Sequence, residues 1–444
     1  MTKSHPRSTS NKYSDTKLID HIKNLFPYCR SITGEGTRKT LKYFENYFTI
    51  LRRITFKSGE AVFDWKVPPE WTITDAFLVH LDTGRKYAEF SSNNLHVVGY
   101  SEPINKVIDF NDLNEHIYTL PDQPNLIPYV TSYYQRAWGF CMSHNDKNNM
   151  PKGLYKVFID SGFNYSGKMD MSHGVIEGKS SNEIFFSSYV CHPSMANNEL
   201  SGPVLLCKII DYINTNYPKP INSYRFILLP ETIGSIAYLS RYLELLVANV
   251  VCGFNLSCVG DERAYSHVQS PHGNTLADLA LESALIGLQN VKSYSFLERG
   301  SDERQYCSPL VGLPLCTFCR SKFGEYSEYH TSADLPEKVV TDNGLNQSFD
   351  VLKSIIDAFE IGIYPIVLFP CEPMLGKRQL YRNISIKSSN PADVRNRRNI
   401  IAYCTGKNTL FAISKITNIP LKDVIREVRL LTLHRILRCY QERK

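Results

Sequence analysis

The sequence is short of everything that marks a membrane, secreted or nucleotide-binding chain. No apolar run reaches the ~18 residues needed to cross a bilayer, so no intramembrane helix and no membrane partner are expected. The N-terminal stretch is polar and has no hydrophobic leader segment, so no secretory signal is expected either. The 12 cysteines are scattered without framework spacing and read as reduced thiols of a cytoplasmic protein. Cys316-x-x-Cys319 is the one CxxC and has no second pair; it reads either as a structural zinc or redox pair or as two cysteines packed at a strand end. There is no Gly-x-Gly-x-x-Gly and no Walker loop, so nucleotide binding has no motif behind it. Internal repeats and low-complexity tracts are also missing.

What is there is an ordinary globular composition, 43% hydrophobic and 21% charged, able to bury a sizeable core. The length of 444 residues predicts two or three domains. Charge is uneven: from Lys377 to Lys444 there are 16 Lys+Arg against 4 Asp+Glu, on a mildly acidic remainder, and such a shift marks a boundary. Residues 1–14 are expected to be disordered, and helices are expected at 15–26 and 38–50. Residues 54–150 read as an inserted all-β domain, with a hairpin signal at Asp82-Thr-Gly84. Tyr133, Tyr134 and Trp138 of this insert either line a cleft or pack within it.

From residue 154 a strand–helix alternation predicts an α/β domain assembled from 15–53 and 151–370. Strands are expected at 154–159, 174–177, 184–190, 224–229, 251–256 and 314–318, with helices at 200–215, 235–246, 274–285 and 345–361. Residues 377–444 read as a winged helix: helices at 394–404, 409–417 and 421–431, then a β ribbon at 433–440.

Four polar clusters fall at predicted strand ends or just beyond them, where open α/β sheets place ligands. They are His192 with Asn198 and Glu199; Glu231 with Thr232; Asp302 with Glu303 and Arg304; and Glu328-Tyr329-His330 through Asp334. Metal-assisted hydrolysis needs imidazole and carboxylate ligands and a separate carboxylate to take a proton from water. His192 and His330 are natural metal ligands, Glu199 or Asn198 supplies an oxygen, and Glu231 is placed as general base. Asp302 is either a further ligand or an orienting group. Each cluster also has a plainer reading: Glu231 as a helix cap, Asp302-Glu303-Arg304 as a surface ion-pair turn, and the segment from His330 to Asp334 as a capping segment.

At these residues the chain resembles the M28-type zinc aminopeptidases. It more closely resembles their bacterial aminopeptidase-like (DUF4910-type) subfamily, with an inserted DUF2172 β domain and a C-terminal winged helix. The likeness rests on Tyr189-Val-Cys-His-Pro-Ser-Met-Ala-Asn-Asn-Glu-Leu-Ser-Gly, Leu229-Pro-Glu-Thr-Ile-Gly-Ser, Ser301-Asp-Glu-Arg-Gln-Tyr and Gly324-Glu-Tyr-Ser-Glu-Tyr-His-Thr-Ser. In the insert it rests on Asn94-Leu-His-Val-Val-Gly-Tyr-Ser-Glu-Pro and Trp138-Gly-Phe-Cys. It implies an M28-type sheet flanked by helices. Compared with a two-zinc site of that family, Asn198 stands for the bridging Asp, Thr232 for a second Glu and Ser257 for a strand-end Asp. The resemblance therefore implies one zinc per chain, on His192 and His330 with Glu199. Glu231 and Asp302 are then catalytic, and Arg304, Tyr329 and Asn198 face the substrate.

Three functions follow as expectations. The first is a single-zinc hydrolase cleaving a small peptide or an amino-sugar amide, with a family-level link to polysaccharide biosynthesis. The second is a non-catalytic binding or scaffold protein on a peptidase fold. The third is a nucleic-acid-binding regulator acting through the basic winged helix, although its helix at 421–431 offers only Lys422, Arg426 and Arg429 and no Asn or Gln to read bases. Each is compatible with a homo-oligomer.

Overall fold

In the computed structural model, residues 13–380 and 392–442 are described. The chain is organised around an eight-stranded sheet, in which the strands beginning at Arg52, Lys168, Ser223, Glu183, Val250, Leu315, Tyr265 and Val291 lie side by side in that order. Its four central strands, Ser223–Leu229, Glu183–Tyr189, Val250–Leu256 and Leu315–Cys319, are mutually parallel. Glu183–Tyr189 and Ser223–Leu229 are buried at every residue. Their near-continuous apolar sequences are what a parallel strand covered on both faces requires. Phe186 sits in register between Phe226 and Phe254 and stacks on both, at 5.7 and 5.6 Å between ring centroids, which fixes the alignment of three strands.

One face of the sheet carries helices Leu18–Leu25, Ser201–Asn216, Leu276–Leu285 and Asp342–Ile361 over a large core. Ile233–Asn249 covers the other face. Gly202 permits the close seating of Ser201–Asn216: a Cβ there would lie 2.2 Å from Ser188 Oγ and 2.5 Å from the Leu256 carbonyl.

A second, four-stranded sheet, in the order Lys86–Tyr87, Glu70–His80, Leu154–Asn164, Ile104–Asp109, has its own core. Gly84, at φ 66°, closes the expected hairpin by donating to the His80 carbonyl. The strand expected at 154–159 belongs here rather than to the α/β sheet. It pairs antiparallel with Glu70–His80, and its start alternates exposed and buried residues, as a strand covered on one face does. Arg52–Lys57, whose last four residues were expected in the insert, instead pairs with Lys168–Ile176 at the edge of the large sheet.

Of the segment expected to be disordered, residues 1–12 lie outside the described residues, whereas Tyr13 is buried, stacked on His21 and hydrogen-bonded to the Val204 carbonyl at 3.0 Å.

The C-terminal unit consists of helices Ala392–Tyr403, Leu410–Thr417 and Leu421–Leu433. Thr409 caps the second, and Asn418 ends it in the left-handed region at φ 52°. Residues 433–440 do not form a ribbon by themselves. Leu437–Tyr440 pairs with Tyr364–Val367, ahead of the charge shift at Lys377, so the unit is closed by a strand from before that shift. The apolar stripe Leu421, Val424, Ile425, Val428 and Leu431 is buried and continuous with the core under Asp342–Ile361, and Phe411 packs on Phe359 at 5.3 Å. Each such side chain contributes roughly 1.5–3 kcal/mol by leaving water, so the unit is part of the main core. Among the described residues no helix is long and apolar enough to cross a membrane. Cys316 and Cys319 are buried, free thiols on the strand Leu315–Cys319.

Candidate active site

The central parallel strands end at one edge of the sheet. The chain leaves Glu183–Tyr189 for Ser223–Leu229 on one side and then crosses to Val250–Leu256 on the other. That reversal opens a crevice beyond the strand ends. His192 and Glu231 follow two of these strands, and Ser257 follows the third.

After His192 the chain forms a five-residue π-helical turn, Ala196–Leu200, a wide turn often found at functional sites. It is pinned by the Asp334 carboxylate, which accepts the backbone N–H groups of Asn197 and Asn198 at 2.7 and 2.9 Å. Asp334 thus takes the capping role that its segment suggested. The turn buries both Asn198 and Glu199. Glu199 Oε2 lies 2.9 Å from His192 Nδ1, and Asn198 Nδ2 donates to the Tyr189 hydroxyl at 2.6 Å. That hydroxyl also meets Ser257 Oγ at 2.6 Å. Asn198, Tyr189 and Ser257 therefore form a neutral chain.

His192 is held from behind by Arg30, a residue that sequence reasoning missed. Arg30 Nε donates to the His192 carbonyl at 3.0 Å, its Nη1 donates to the Leu25 carbonyl at 2.7 Å, and Glu199 Oε1 lies 3.6 Å from Nε. Burial, with Arg30 adding to it, depresses the His192 imidazole to about 3. Burial raises Glu199 to about 8, against the pull of Arg30. A cation on His192 Nε2 would require the Nδ1–H tautomer, which Glu199 is placed to accept.

The His330 ring lies 5.3 Å from that of His192, stacked on Tyr329 at 3.9 Å. Its Nε2 is buried without a hydrogen-bond partner among the described residues, as are Asn198 Oδ1 and Asp302 Oδ2. Burial, and then His192, depress His330 to about 3, so it too is neutral and lone-pair bearing. The insert supplies one wall of the site. Tyr129 N donates to the His330 carbonyl at 2.8 Å, and the Tyr129 ring lies 5.0 Å from each histidine ring. Tyr129 and Tyr133 share a hydroxyl hydrogen bond of 2.7 Å. Of the three insert aromatics weighed from sequence, Tyr133 reaches the site. Tyr134 meets Trp65, and Trp138 stacks on His116.

Glu231 Oε2 lies 3.8 Å from His192 Nε2, with 22% of its side chain exposed. Its carboxylate does not cap the following helix; Asp302 holds that end, accepting from Thr232 N at 2.8 Å and Ser235 Oγ at 2.7 Å. Thr232 is held at φ 64° and ψ −77°, an unfavourable conformation for a β-branched residue, and Arg304 Nη2 donates to its Oγ1 at 2.7 Å. The strained turn fixes Glu231 at the rim. Asp302 and Glu303 are buried, so the segment is not a surface ion-pair turn. Glu303 accepts the backbone N–H groups of Gly300 and Ser301. Burial raises Glu231 and Asp302 together, and the Asp302 charge raises Glu231 further, so the pair retains a proton that an isolated carboxylate would lose.

Two neutral imidazoles 5.3 Å apart between ring centroids and an adjacent carboxylate of raised proton affinity suit one divalent cation and a proton-transfer group. Cys191, His192 and Glu199 lie within metal-ligating distance of one another, but the Glu199 contact is through His192 Nδ1, the nitrogen turned away from Glu231.

Fold and site together define an α/β protein of aminopeptidase-like architecture. The chain belongs to the DUF4910 family, a domain of unknown function matched over residues 19–362, and carries a winged helix-turn-helix (HTH_47) domain over 364–439. It is similar to a Clostridium acetobutylicum protein named for polysaccharide biosynthesis and an aminopeptidase-like domain. The two are 36% identical over 440 residues, covering 95% of this chain and 99% of that one. A crystal structure from Clostridium acetobutylicum named as a peptidase superposes with a TM-score of 0.86 at 34% identity, over 96% of this chain and 97% of the other. The zinc aminopeptidase of Bacillus subtilis superposes at a TM-score of 0.57 and 13% identity, over 78% and 94%, a likeness of fold alone.

Proposed function

We propose that the protein is a single-zinc amide hydrolase in which His192 and His330 hold the metal. The observation that carries this is the buried His330 Nε2, without a hydrogen-bond partner among the described residues, near His192, whose own Nε2 faces Glu231. In this reading Glu199 is not a ligand but the group that orients His192 through Nδ1, and Arg30 keeps Glu199 in place. Zinc held there supplies Lewis acidity that polarises an amide carbonyl and acidifies water. Glu231 takes the proton of the attacking water and delivers it to the leaving nitrogen. The charge of the buried Asp302 keeps Glu231 basic enough to accept that proton. Tyr129 and Tyr329 exclude bulk water beside the imidazoles.

Small peptides and N-acyl amino sugars are the substrates we place first, the latter because the Clostridium relative is named for polysaccharide biosynthesis. We assign the inserted β unit to the DUF2172 type on its Asn94–Pro103 and Trp138–Cys141 motifs. The winged helix serves as a docked structural unit rather than a DNA reader. This is supported by its buried stripe and by Arg429, which lies 3.8 Å from Asp357 of the main body. The test is turnover of a panel of aminoacyl and amino-sugar amides by zinc-supplemented protein. Wild type is expected to cleave at least one class and Glu231→Gln none, with unchanged melting temperature. Full activity in Glu231→Gln would remove Glu231 from the chemistry, and no turnover of any amide would leave a binding or scaffold role instead.

A further inference from the structure

Arg304 is a half-buried guanidinium beside Glu231 whose partners are all neutral. Its Nη2 donates to Thr232 Oγ1 at 2.7 Å and its Nε to the Ser301 carbonyl at 3.0 Å. Among the described residues no carboxylate pairs with it, and its Nη1 has no hydrogen-bond partner. Its charge acts on Glu231, Asp302 and Tyr329, which places it in the same crevice. Arginine keeps its charge and presents a planar fork suited to a carboxylate, and a half-buried one without an anion is an unused recognition group.

The carboxylates nearby are differently disposed. Glu199 is taken by His192, Asp334 by two backbone amides, and Glu328 by a bidentate pair with Arg263 at 2.7 and 2.9 Å. Glu303 is taken by the Gly300 and Ser301 amides and Asp302 by Thr232 N and Ser235 Oγ, so only Glu231 remains. A substrate ammonium would have to compete for the proton-transfer group itself. A substrate anion finds a cation already waiting.

We propose that the site selects amides bearing a carboxylate close to the scissile bond, such as an N-acyl amino acid or an acidic amino sugar, and that Arg304 binds that carboxylate. This rests on the reading of the crevice as an amide-hydrolase site. It sets this chain apart from enzymes that recognise a free α-amine.

The test compares three ligands on one scaffold: N-acetyl-L-alanine, its carboxamide, and L-alanine amide with a free amine. Binding is measured by calorimetry, with and without zinc, to wild type, Arg304→Gln and Arg304→Lys, alongside hydrolysis by the zinc-loaded wild type. The acid is expected to bind about tenfold or more tightly than its carboxamide, as a charge-assisted bond allows. Arg304→Gln should erase that ratio, Arg304→Lys should restore part of it, and metal content should be the same in all three proteins. Equal binding of acid and carboxamide, tighter binding of the free amine, no binding of the acid, or a ratio that survives Arg304→Gln would overturn the proposal. Binding of the acid without cleavage would count against the hydrolase reading alone. Cleavage without preference for the acid would count against the carboxylate reading alone.

Discussion

Replacing Arg30 with methionine keeps the stem of the side chain and removes its charge from the back of the site. Arg30 and Glu199 side chains are both fully buried, so no solvent compensates the loss. The His192 carbonyl loses its donor, whereas the Leu25 carbonyl keeps the Tyr28 N–H at 3.1 Å. A buried acceptor left unpaired costs about 1–3 kcal/mol, so the variant should lose about that much at neutral pH. The Glu199 part is pH-dependent. Burial already holds Glu199 near 8 in the folded protein, and without Arg30 it rises further. A raised carboxyl stabilises the fold while protonated and loses that contribution as pH climbs through its folded value. Wild type therefore stops losing stability at about 8 while the variant continues, and the gap widens above that pH by up to ~1.4 kcal/mol per unit. Urea denaturation of the metal-free proteins at pH 7 and pH 9 reads both effects. Arg30→Met with Glu199→Gln should keep the first loss and abolish its growth with pH. A loss below about 1 kcal/mol in Arg30→Met, or a loss independent of pH, would refute the reasoning.

Gly202→Ala should cost about 3 kcal/mol or more in the same assay, because its Cβ meets a strand carbonyl and Ser188 Oγ with no flexible neighbour to yield. His330 is held neutral to about 3 by burial, whereas an exposed histidine takes a proton below about 6.5. Metal-free wild type should therefore lose about 1.4 kcal/mol more per pH unit than His330→Gln as pH falls from 6.5, measured by denaturant titration. Because the winged helix shares the main core, calorimetry should show one cooperative transition, and two separate ones would contradict the docking described above. Duplex DNA should not bind, even at low salt, in a fluorescence titration.

The strands that frame the site were legible because a fully buried parallel strand is a near-continuous apolar run, as Ile184–Val190 is but for Ser187 and Ser188. Periodicity names a strand but not its sheet, which is why residues 154–159 were placed in the wrong one. Tyr265–Val268 and Val291–Tyr294 are four residues each, the latter mostly exposed, and carry too little pattern to read. At the site, His192 and Glu231 were visible as polar residues just beyond strands, and Asp302 and His330 as members of polar clusters. Arg30 and Tyr129 were not, since they arrive from other parts of the chain; Arg30 is 162 residues from the histidine it holds. An arginine set among Cys29, Ser31 and Ile32 was the one available hint that the turn was buried. The role of Glu199 depended on which nitrogen of His192 it reaches, a choice made by the π-helical turn rather than by spacing.

The claim that one divalent cation sits between His192 and His330 is tested most directly by elemental analysis of purified protein after zinc supply and desalting. About one zinc per chain in wild type and in Glu231→Gln, lost in His192→Ala and in His330→Ala, is the expected result. No bound metal in wild type, or zinc retained at the same level without either histidine, would contradict the account.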